Sequence, residues 1–287
     1  MVRGQPRPVL SRAAVVGSPV AHSLSPVLHR AAYAELGLTD WSYDRIEIDA
    51  ADLPEVVAGL GPEWVGLSVT MPGKEVALTL AQGEVSVEAT LSGAANTLYR
   101  TPQGWAADNT DVRGLVVALE EAGVRAFERG VVVGGGATAR SAVVALSALG
   151  MREVTFCLRG ELRGRTRELL EATGIEADVV PLAHGIPLGA GEVVVSTLPG
   201  HVPSPVVRAP LDGGPSPVVM DVSYEPWPSA LATAVASATG GRVQVVRGTR
   251  MLLHQAVRQV EVMTGRPGPT AAMDRALTEH LAARGAS

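Results

Sequence analysis

The sequence predicts an α/β protein with mainly parallel sheets, divided into two domains, and three observations carry that expectation. Short Val-rich strands alternate with Ala- and Leu-rich helices along the chain, the rhythm of parallel strands joined by crossover helices. Gly130–Val133, the glycine run Gly134–Gly136 and the helix-forming stretch from Ala137 make a strand, turn and helix of the kind found in nucleotide-binding sheets. A length of 287 residues suits one large or two ordinary domains, and the change of character beyond the helix at Asp111 places the boundary near it.

In order along the chain, Ala13–Gly17 reads as the first strand, Ser18–Ser25 as a loop, and Pro26–Leu36 as a helix stopped at Gly37. Ser25 before Pro26 is a strong helix start, because serine caps free backbone N–H groups and proline suits the first helical position. Tyr43–Ile48 and Trp64–Val69 read as strands, and a hairpin is expected around Thr101–Gly104. The helix from about Asp111 to Ala122 places Val112, Leu115, Val116 and Leu119 on one face, with Gly123 past its end. After the glycine run come a helix over Ala137–Leu149, a strand at Val154–Leu158, a helix near Arg163–Thr173, and strands at Glu192–Ser196 and Val218–Val222. Two last helices, Arg250–Thr264 and Ala271–Ala283, are separated by the breaker run Gly265–Pro269.

Composition excludes several function classes. A net charge of −5 gives no field that gathers nucleic acid or an anionic membrane surface. No apolar run approaches the roughly 20 residues of a membrane span. The segment Met1–Arg12 is interrupted by Pro6 and Pro8 with no apolar signal core behind it, so a cytoplasmic location is expected. The single cysteine, Cys157, forms no internal disulfide, and the absence of CxxC, HExxH or clustered His and Cys leaves no metal site to expect. No GxSxG nucleophile elbow occurs either.

The run Val131–Arg140 has the parts that a dinucleotide pyrophosphate needs. Glycines let the backbone approach the phosphates, and a helix N-terminus offers unpaired N–H groups and the positive end of a dipole. Ala139 replaces the third glycine of GxGxxG, and a small alanine still permits close packing of helix on strand. A NAD-binding sheet presents an acidic residue for the ribose hydroxyls about 20 residues beyond the glycines. Here Arg159 follows the strand Val154–Leu158 and Arg163 comes a turn later. A guanidinium grips a 2′-phosphate through paired charge-assisted hydrogen bonds, so NADP is expected over NAD.

Of the 24 basic residues only Lys74 is a lysine, and Asn96 and Asn109 are the only asparagines. Ala, Gly, Pro, Val and Arg are plentiful, which points to a GC-rich genome that removes lysine and asparagine wherever a substitute is tolerated. All three survivors fall in polar clusters: Ser68-Val69-Thr70-Met71-Pro72-Gly73-Lys74, Gly93-Ala94-Ala95-Asn96-Thr97, and Asp108-Asn109-Thr110-Asp111. Ser23-Leu24-Ser25-Pro26, Asp221-Val222-Ser223-Tyr224 and Met251-Leu252-Leu253-His254-Gln255-Ala256 are further clusters. Ser25 lies at a helix N-terminus, where backbone amides attract a carboxylate. Gln255 shares an apolar helix face with Leu252 and Gln259, and a glutamine there needs a partner or a site. His22 reads as loop structure.

Together these six motifs resemble the shikimate dehydrogenase family, from about Gly17 to Gly265. The resemblance implies an N-terminal α/β substrate-binding domain of residues 1–109, to which 249–287 return, and a Rossmann-type NADP-binding domain of residues 110–248, with a cleft between them. It implies NADPH-dependent reduction of 3-dehydroshikimate to shikimate in aromatic amino-acid biosynthesis. By position, Ser23 and Ser25 bind the substrate carboxylate with Tyr224 assisting, Thr70, Asn96 and Gln255 address the ring hydroxyls, and Lys74 and Asp111 are the catalytic pair. Gly134, Gly135, Gly136, Ala137, Thr138, Arg159, Arg163 and Thr197 hold the cofactor. The partners implied are small molecules, with no nucleic acid and no membrane, in a monomer or homodimer. Three positions depart from the family pattern: Asn is common at Ser68 and at Leu158, and a bulkier residue at Gly73. A NAD-dependent quinate/shikimate dehydrogenase is a rival that Arg159 and Arg163 speak against. A non-catalytic metabolite-binding regulator is another, and it has no need of Lys74 with Asp111.

Overall fold

The computed structural model describes residues 11–189, 191–200, 202–203, 206–208 and 215–285. Met1–Leu10, which include Pro6 and Pro8 of the expected non-signal segment, lie outside the described residues. The chain forms two compact units, one made of the residues up to Thr90, Ala94–Thr110 and those from Ala256 on, the other of Leu91–Gly93 and Asp111–Gln255.

The first unit holds a five-stranded sheet of β1 (Ser11–Gly17), β2 (Trp41–Glu47), β3 (Trp64–Val69), β4 (Thr97–Thr101) and β5 (Gly104–Asp108), in the order β2-β1-β3-β4-β5. β1 runs parallel to both its neighbours, whereas β3, β4 and β5 are antiparallel. The sheet is therefore mixed rather than parallel, because a connection as short as Pro102–Gln103 joins only antiparallel strands. β1 is covered on both faces, and its run Ala13–Gly17 is buried throughout, as an interior parallel strand requires. Helices α1 (Ser25–Glu35), α2 (Leu53–Gly59), α3 (Lys74–Thr79) and α4 (Val87–Ser92) follow in the chain. Val16, Leu53, Val57, Trp64, Leu67, Leu98 and Trp105 are among the residues of its core.

α1 begins differently from the expectation. Leu24 is its N-cap, already in the helical region, and no side chain caps the helix. The Leu24 carbonyl accepts the first helical bond, from the Val27 N–H at 3.0 Å, so Ser25 is the first helical residue instead of the cap. The Ser25 N–H donates to the Ser23 hydroxyl at 3.3 Å.

The second unit opens with α5 (Thr110–Glu121, of which Thr110 belongs to the first unit) and alternates strands with helices: β6 (Arg129–Val133), α6 (Ala137–Ala148), β7 (Glu153–Leu158), α7 (Gly164–Thr173) and β8 (Glu176–Pro181). There follow β9 (Ile186–Pro187), β10 (Val193–Ser196), β11 (Val207–Arg208), β12 (Val218–Asp221), α8 (Ala230–Thr239) and β13 (Val245–Arg247). Six strands form a sheet in the order β13-β12-β10-β6-β7-β8, parallel throughout, and β9 with β11 makes a small separate pair. Counted from β6 this is the 3-2-1-4-5-6 order of a doubly wound dinucleotide-binding sheet. Strand periodicity separates its two cores: Val132 packs with Leu115, Leu119 and Val143, while Val131 and Val133 pack with Cys157, Val194, Val219 and Val235. Helix α9 (Thr249–Thr264) is divided at Gln255, its later residues belonging to the first unit, where α10 (Thr270–Gly285) packs against α1. Among the described residues no helix is long and apolar enough to cross a membrane.

Candidate active site residues

In the first unit, topology gathers four polar segments at one end of the sheet. Parallel β1 and β3 send the loops after Gly17 and Val69 to the same edge, antiparallel β4 starts there, and β5 ends there. The register makes this explicit, pairing Val16 with Val69, Ser68 with Thr97, and Thr97 with Asp108. Gly17 allows the first two loops to close on one another: at its φ of +158° a Cβ would collide with the Thr70 side chain and stand 2.7 Å from the Met71 carbonyl. The Ser18 N–H donates to that carbonyl at 3.0 Å, and the Thr70 N–H to Val16 O at 2.9 Å. Half-buried Lys74 opens α3, and its carbonyl accepts from the Ala95 N–H at 2.9 Å, which ties the helix start to the Asn96 segment.

Asn96 is buried and held on several sides. Its Oδ1 accepts from the Thr110 N–H at 2.8 Å, the Thr97 hydroxyl at 2.8 Å and the Thr110 hydroxyl at 3.1 Å, and its Nδ2 donates to Thr110 Oγ1 at 3.0 Å. A backbone N–H only donates, so the amide oxygen is the atom that meets the Thr110 N–H. The Ser23 hydroxyl donates to the Ser25 hydroxyl at 3.2 Å, and Arg45 fixes the Ser23 carbonyl with donors at 2.6 and 2.9 Å. One turn into α1, His29 places Nδ1 3.0 Å from the Ser25 carbonyl and stacks on Tyr43 with centroids 3.9 Å apart. Burial lowers the His29 pKa to about 4, against the opposing effect of the Ser25 carbonyl. The neutral ring donates Nδ1–H to that carbonyl, and Nε2 is buried with no partner among the described residues. His22 is an exposed loop residue.

In the second unit the glycine turn lies where the strand order reverses, β6 being flanked by β7 and β10. Gly134 has φ +110°, and a Cβ on it would meet the Thr197 hydroxyl at 2.5 Å. Thr197, just beyond β10, donates both its N–H and its hydroxyl to the Val133 carbonyl at 2.9 Å. A Cβ at Gly135 would stand 3.1 Å from Leu158, while Gly136 opens onto free space. Gly136 is the N-cap of α6, which starts at Ala137 and Thr138 with no side-chain cap. Arg159 follows β7 and Arg163 is the N-cap of α7; both are exposed, and neither makes an ion pair with a described residue. Glu161 pairs with Arg167 at 3.6 Å. Arg140, 1% exposed, donates its Nε to the Ser92 carbonyl within this unit, an anchor that the sequence reading did not single out.

Three expected site residues also belong to the second unit. Asp111, 4% exposed, lies in the first turn of α5. Half-buried Tyr224 follows β12, its carbonyl held by Arg247 at 2.8 Å, and Arg247 stacks on Trp227. Nearby Asp221 accepts from the Ser223 N–H at 3.1 Å; burial raises its carboxyl, partly opposed by hydrogen bonds from Ser229 and Ser223. Gln255, 6% exposed, donates to the Leu252 carbonyl at 2.8 Å. Ser23, Ser25, Thr70, Lys74 and Asn96 thus belong to one unit and Asp111, Tyr224 and Gln255 to the other.

Fold and residues define an α/β protein that joins a doubly wound nucleotide-type sheet to a separate α/β unit with a polar sheet edge, a class that includes nicotinamide-dependent oxidoreductases. Residues 15–98 match the family model described as shikimate dehydrogenase substrate binding domain, and residues 248–278 the one described as shikimate 5'-dehydrogenase C-terminal domain. A relative from Thermosynechococcus vestitus named shikimate dehydrogenase (NADP(+)) is 35% identical, over 93% of this chain and 94% of its own. The crystal structure of the Mycobacterium tuberculosis shikimate dehydrogenase has a TM-score of 0.76 at 44% identity, covering 94% of this chain and 99% of that one. The Thermus thermophilus enzyme, solved in complex with NADP(H) and shikimate, has a TM-score of 0.75 at 28% identity, covering 94% and 99%. The chain belongs to the shikimate dehydrogenase family.

Proposed function

We propose that this chain reduces 3-dehydroshikimate to shikimate with NADPH, in the shikimate pathway of aromatic amino-acid biosynthesis. The observation that carries the reading is the gathering of the Ser23–Ser25, Thr70–Lys74 and Asn96 segments at one sheet edge, in a chain whose relatives are named shikimate dehydrogenase (NADP(+)). The second unit fits a 2′-phosphorylated dinucleotide: Gly134 and Gly135 let the turn close on Thr197 and Leu158, Gly136 leaves open space before α6, which starts uncapped, and Arg159 and Arg163 stand exposed. Bound NADPH supplies a hydride to the substrate ketone. Gly134, Gly135, Gly136, Ala137, Thr138 and Thr197 hold the pyrophosphate side, and Arg159 and Arg163 pair with the 2′-phosphate.

Ser23 and Ser25, assisted by Tyr224, bind the substrate carboxylate, and Thr70, Asn96 and Gln255 hold the ring hydroxyls. As the ketone becomes an alkoxide, the Lys74 ammonium stabilises the new charge and donates the proton that completes the alcohol; water then reprotonates the amine. The Asp111 carboxylate keeps the ammonium in place. The protein works in the cytoplasm on small molecules alone, as a monomer or homodimer. Comparing kcat/KM for NADPH and NADH with 3-dehydroshikimate tests the reaction and the arginine argument together, and NADPH is expected to lead by tenfold or more. A preference for NADH overturns the cofactor assignment in favour of a NAD-dependent quinate/shikimate dehydrogenase. Ligand binding without turnover on either cofactor identifies a regulator.

A further inference from the structure

A single file of hydrogen bonds runs through the interior of the first unit and ends on Asn96, a residue that the proposed function assigns to substrate. Tyr43 donates its hydroxyl proton to Ser68 Oγ at 2.6 Å, Ser68 donates to Gln259 Oε1 at 2.7 Å, and Gln259 Nε2 donates to Thr97 Oγ1 at 3.0 Å and to the Asn96 carbonyl at 3.3 Å. Thr97 in turn donates to Asn96 Oδ1 at 2.8 Å. At the other end the Tyr43 ring stacks on His29 with centroids 3.9 Å apart, and His29 Nδ1 lies 3.0 Å from the Ser25 carbonyl. Tyr43, Ser68, Thr97 and Asn96 are buried, and Gln259 is 1% exposed.

The direction of the file is fixed by two backbone groups. The Asn96 carbonyl only accepts, so the end of Gln259 beside it is the nitrogen; its oxygen therefore faces Ser68, and Ser68 must donate. Ser68 having spent its proton, Tyr43 donates to it. At the far end the Thr110 N–H only donates, which turns Asn96 Oδ1 toward it and toward the Thr97 proton. Every donor from Tyr43 to Asn96 points the same way, and the Gln259 carboxamide is the link that carries the file from helix α9 to the sheet. Ser68 and Thr97 stand opposite one another in register, yet their hydroxyls are bridged by Gln259 instead of bonded together.

We propose that Gln259 is a positioning residue: its carboxamide, bridging Ser68 and Thr97, fixes the Asn96 amide in the orientation that binds shikimate. The inference rests on the substrate reading above. It is tested by the KM for shikimate and for NADP+ in shikimate oxidation, the reverse of the proposed reaction. Gln259→Leu keeps the volume and removes both hydrogen-bonding ends. It is expected to raise the shikimate KM about tenfold, the size expected when buried partners are left unpaired, with the NADP+ KM within twofold of wild type. The double variant Ser68→Asn with Gln259→Ala places a carboxamide on β3 opposite Thr97, and the shikimate KM is expected to return to within threefold of wild type. If Gln259→Leu does not fold, Gln259→Glu, which lacks the Nε2 donor, is read the same way. An unchanged shikimate KM, an equal rise in both KM values, or no recovery in the double variant overturns the inference while wild-type turnover leaves the proposed reaction standing. Wild-type protein that neither binds nor oxidises shikimate overturns the reaction itself, and the inference with it.

Discussion

Lys74 and His29 show how much one ionisable group can be asked to do. Lysine survives once in this chain, and a proton donor to an alkoxide is a task that arginine, whose guanidinium holds its proton far more tightly than an ammonium, performs poorly. Lys74→Ala is expected to lower kcat at least a hundredfold, about 3 kcal/mol of activation free energy, with the melting temperature little changed. Near-normal kcat would remove Lys74 from the chemistry. His29 acts on stability instead. Its folded pKa of about 4 lies below the ordinary 6.5, so between those values the unfolded chain binds a proton that the folded chain does not. Stability is therefore unaffected above pH 6.5 and declines as the pH falls toward 4, by about 3 kcal/mol in full. His29→Phe, which can still stack on Tyr43, should show a smaller drop in urea midpoint between pH 7 and pH 4.5; parallel losses in both proteins would rule out His29 as the cause. Lys74 was legible in the sequence because its rarity made it conspicuous. His29 was not, since it sits on the apolar face of α1, and attention goes first to His22 beside the serine motif.

At the scale of elements, Gly114 governs how closely α5 and α9 pack within the second unit. A Cβ there would come within 2.7 Å of the Met251 carbonyl oxygen and 3.0 Å of the Gln255 Cβ. The first of these is backbone and cannot rotate away. Gly114→Val should cost about 1–3 kcal/mol of stability, as overpacking does, measured as a lower urea midpoint; an unchanged midpoint would mean that the helices separate freely. The longer elements were readable from pattern alone, among them the Trp64–Val69 strand, which has the expected bounds. α2, α3 and α4 escaped notice because six or seven residues hold too few turns to establish a helical period. β8 is almost wholly exposed as the last strand of its sheet, so its sequence shows no buried alternation, and α8 is so rich in alanine that no polar stripe marks its outer side. The hydroxyl of Tyr43 and the amide of Gln259 were hidden for another reason: Ser68 and Gln259 meet across 191 positions of sequence, and such pairings have no local signature.

For the whole molecule, the glycine turn and the strand–helix rhythm identified a nucleotide-type sheet, and the structure adds the order β13-β12-β10-β6-β7-β8 that puts Gly134 and Thr197 at the reversal. The expectation of mainly parallel sheets held: that unit's sheet is parallel throughout, and in the other β1 runs parallel to β2 and β3, while the expected hairpin at Thr101–Gly104 folds β4 back on β5. The division of the chain also matters for how the protein is made. The first unit is started by the earliest strands but finished only by residues beyond Ala256, with α10 closing on α1 and Gln259 on Ser68, whereas the second unit is nearly one uninterrupted stretch from Asp111 to Gln255. On a ribosome adding about 5–20 residues per second, β1–β5 must wait roughly 8–35 s after they are made before the segment that covers α1 exists. During that interval the nascent sheet carries an uncovered helix face, which makes the unit translated first the last to mature.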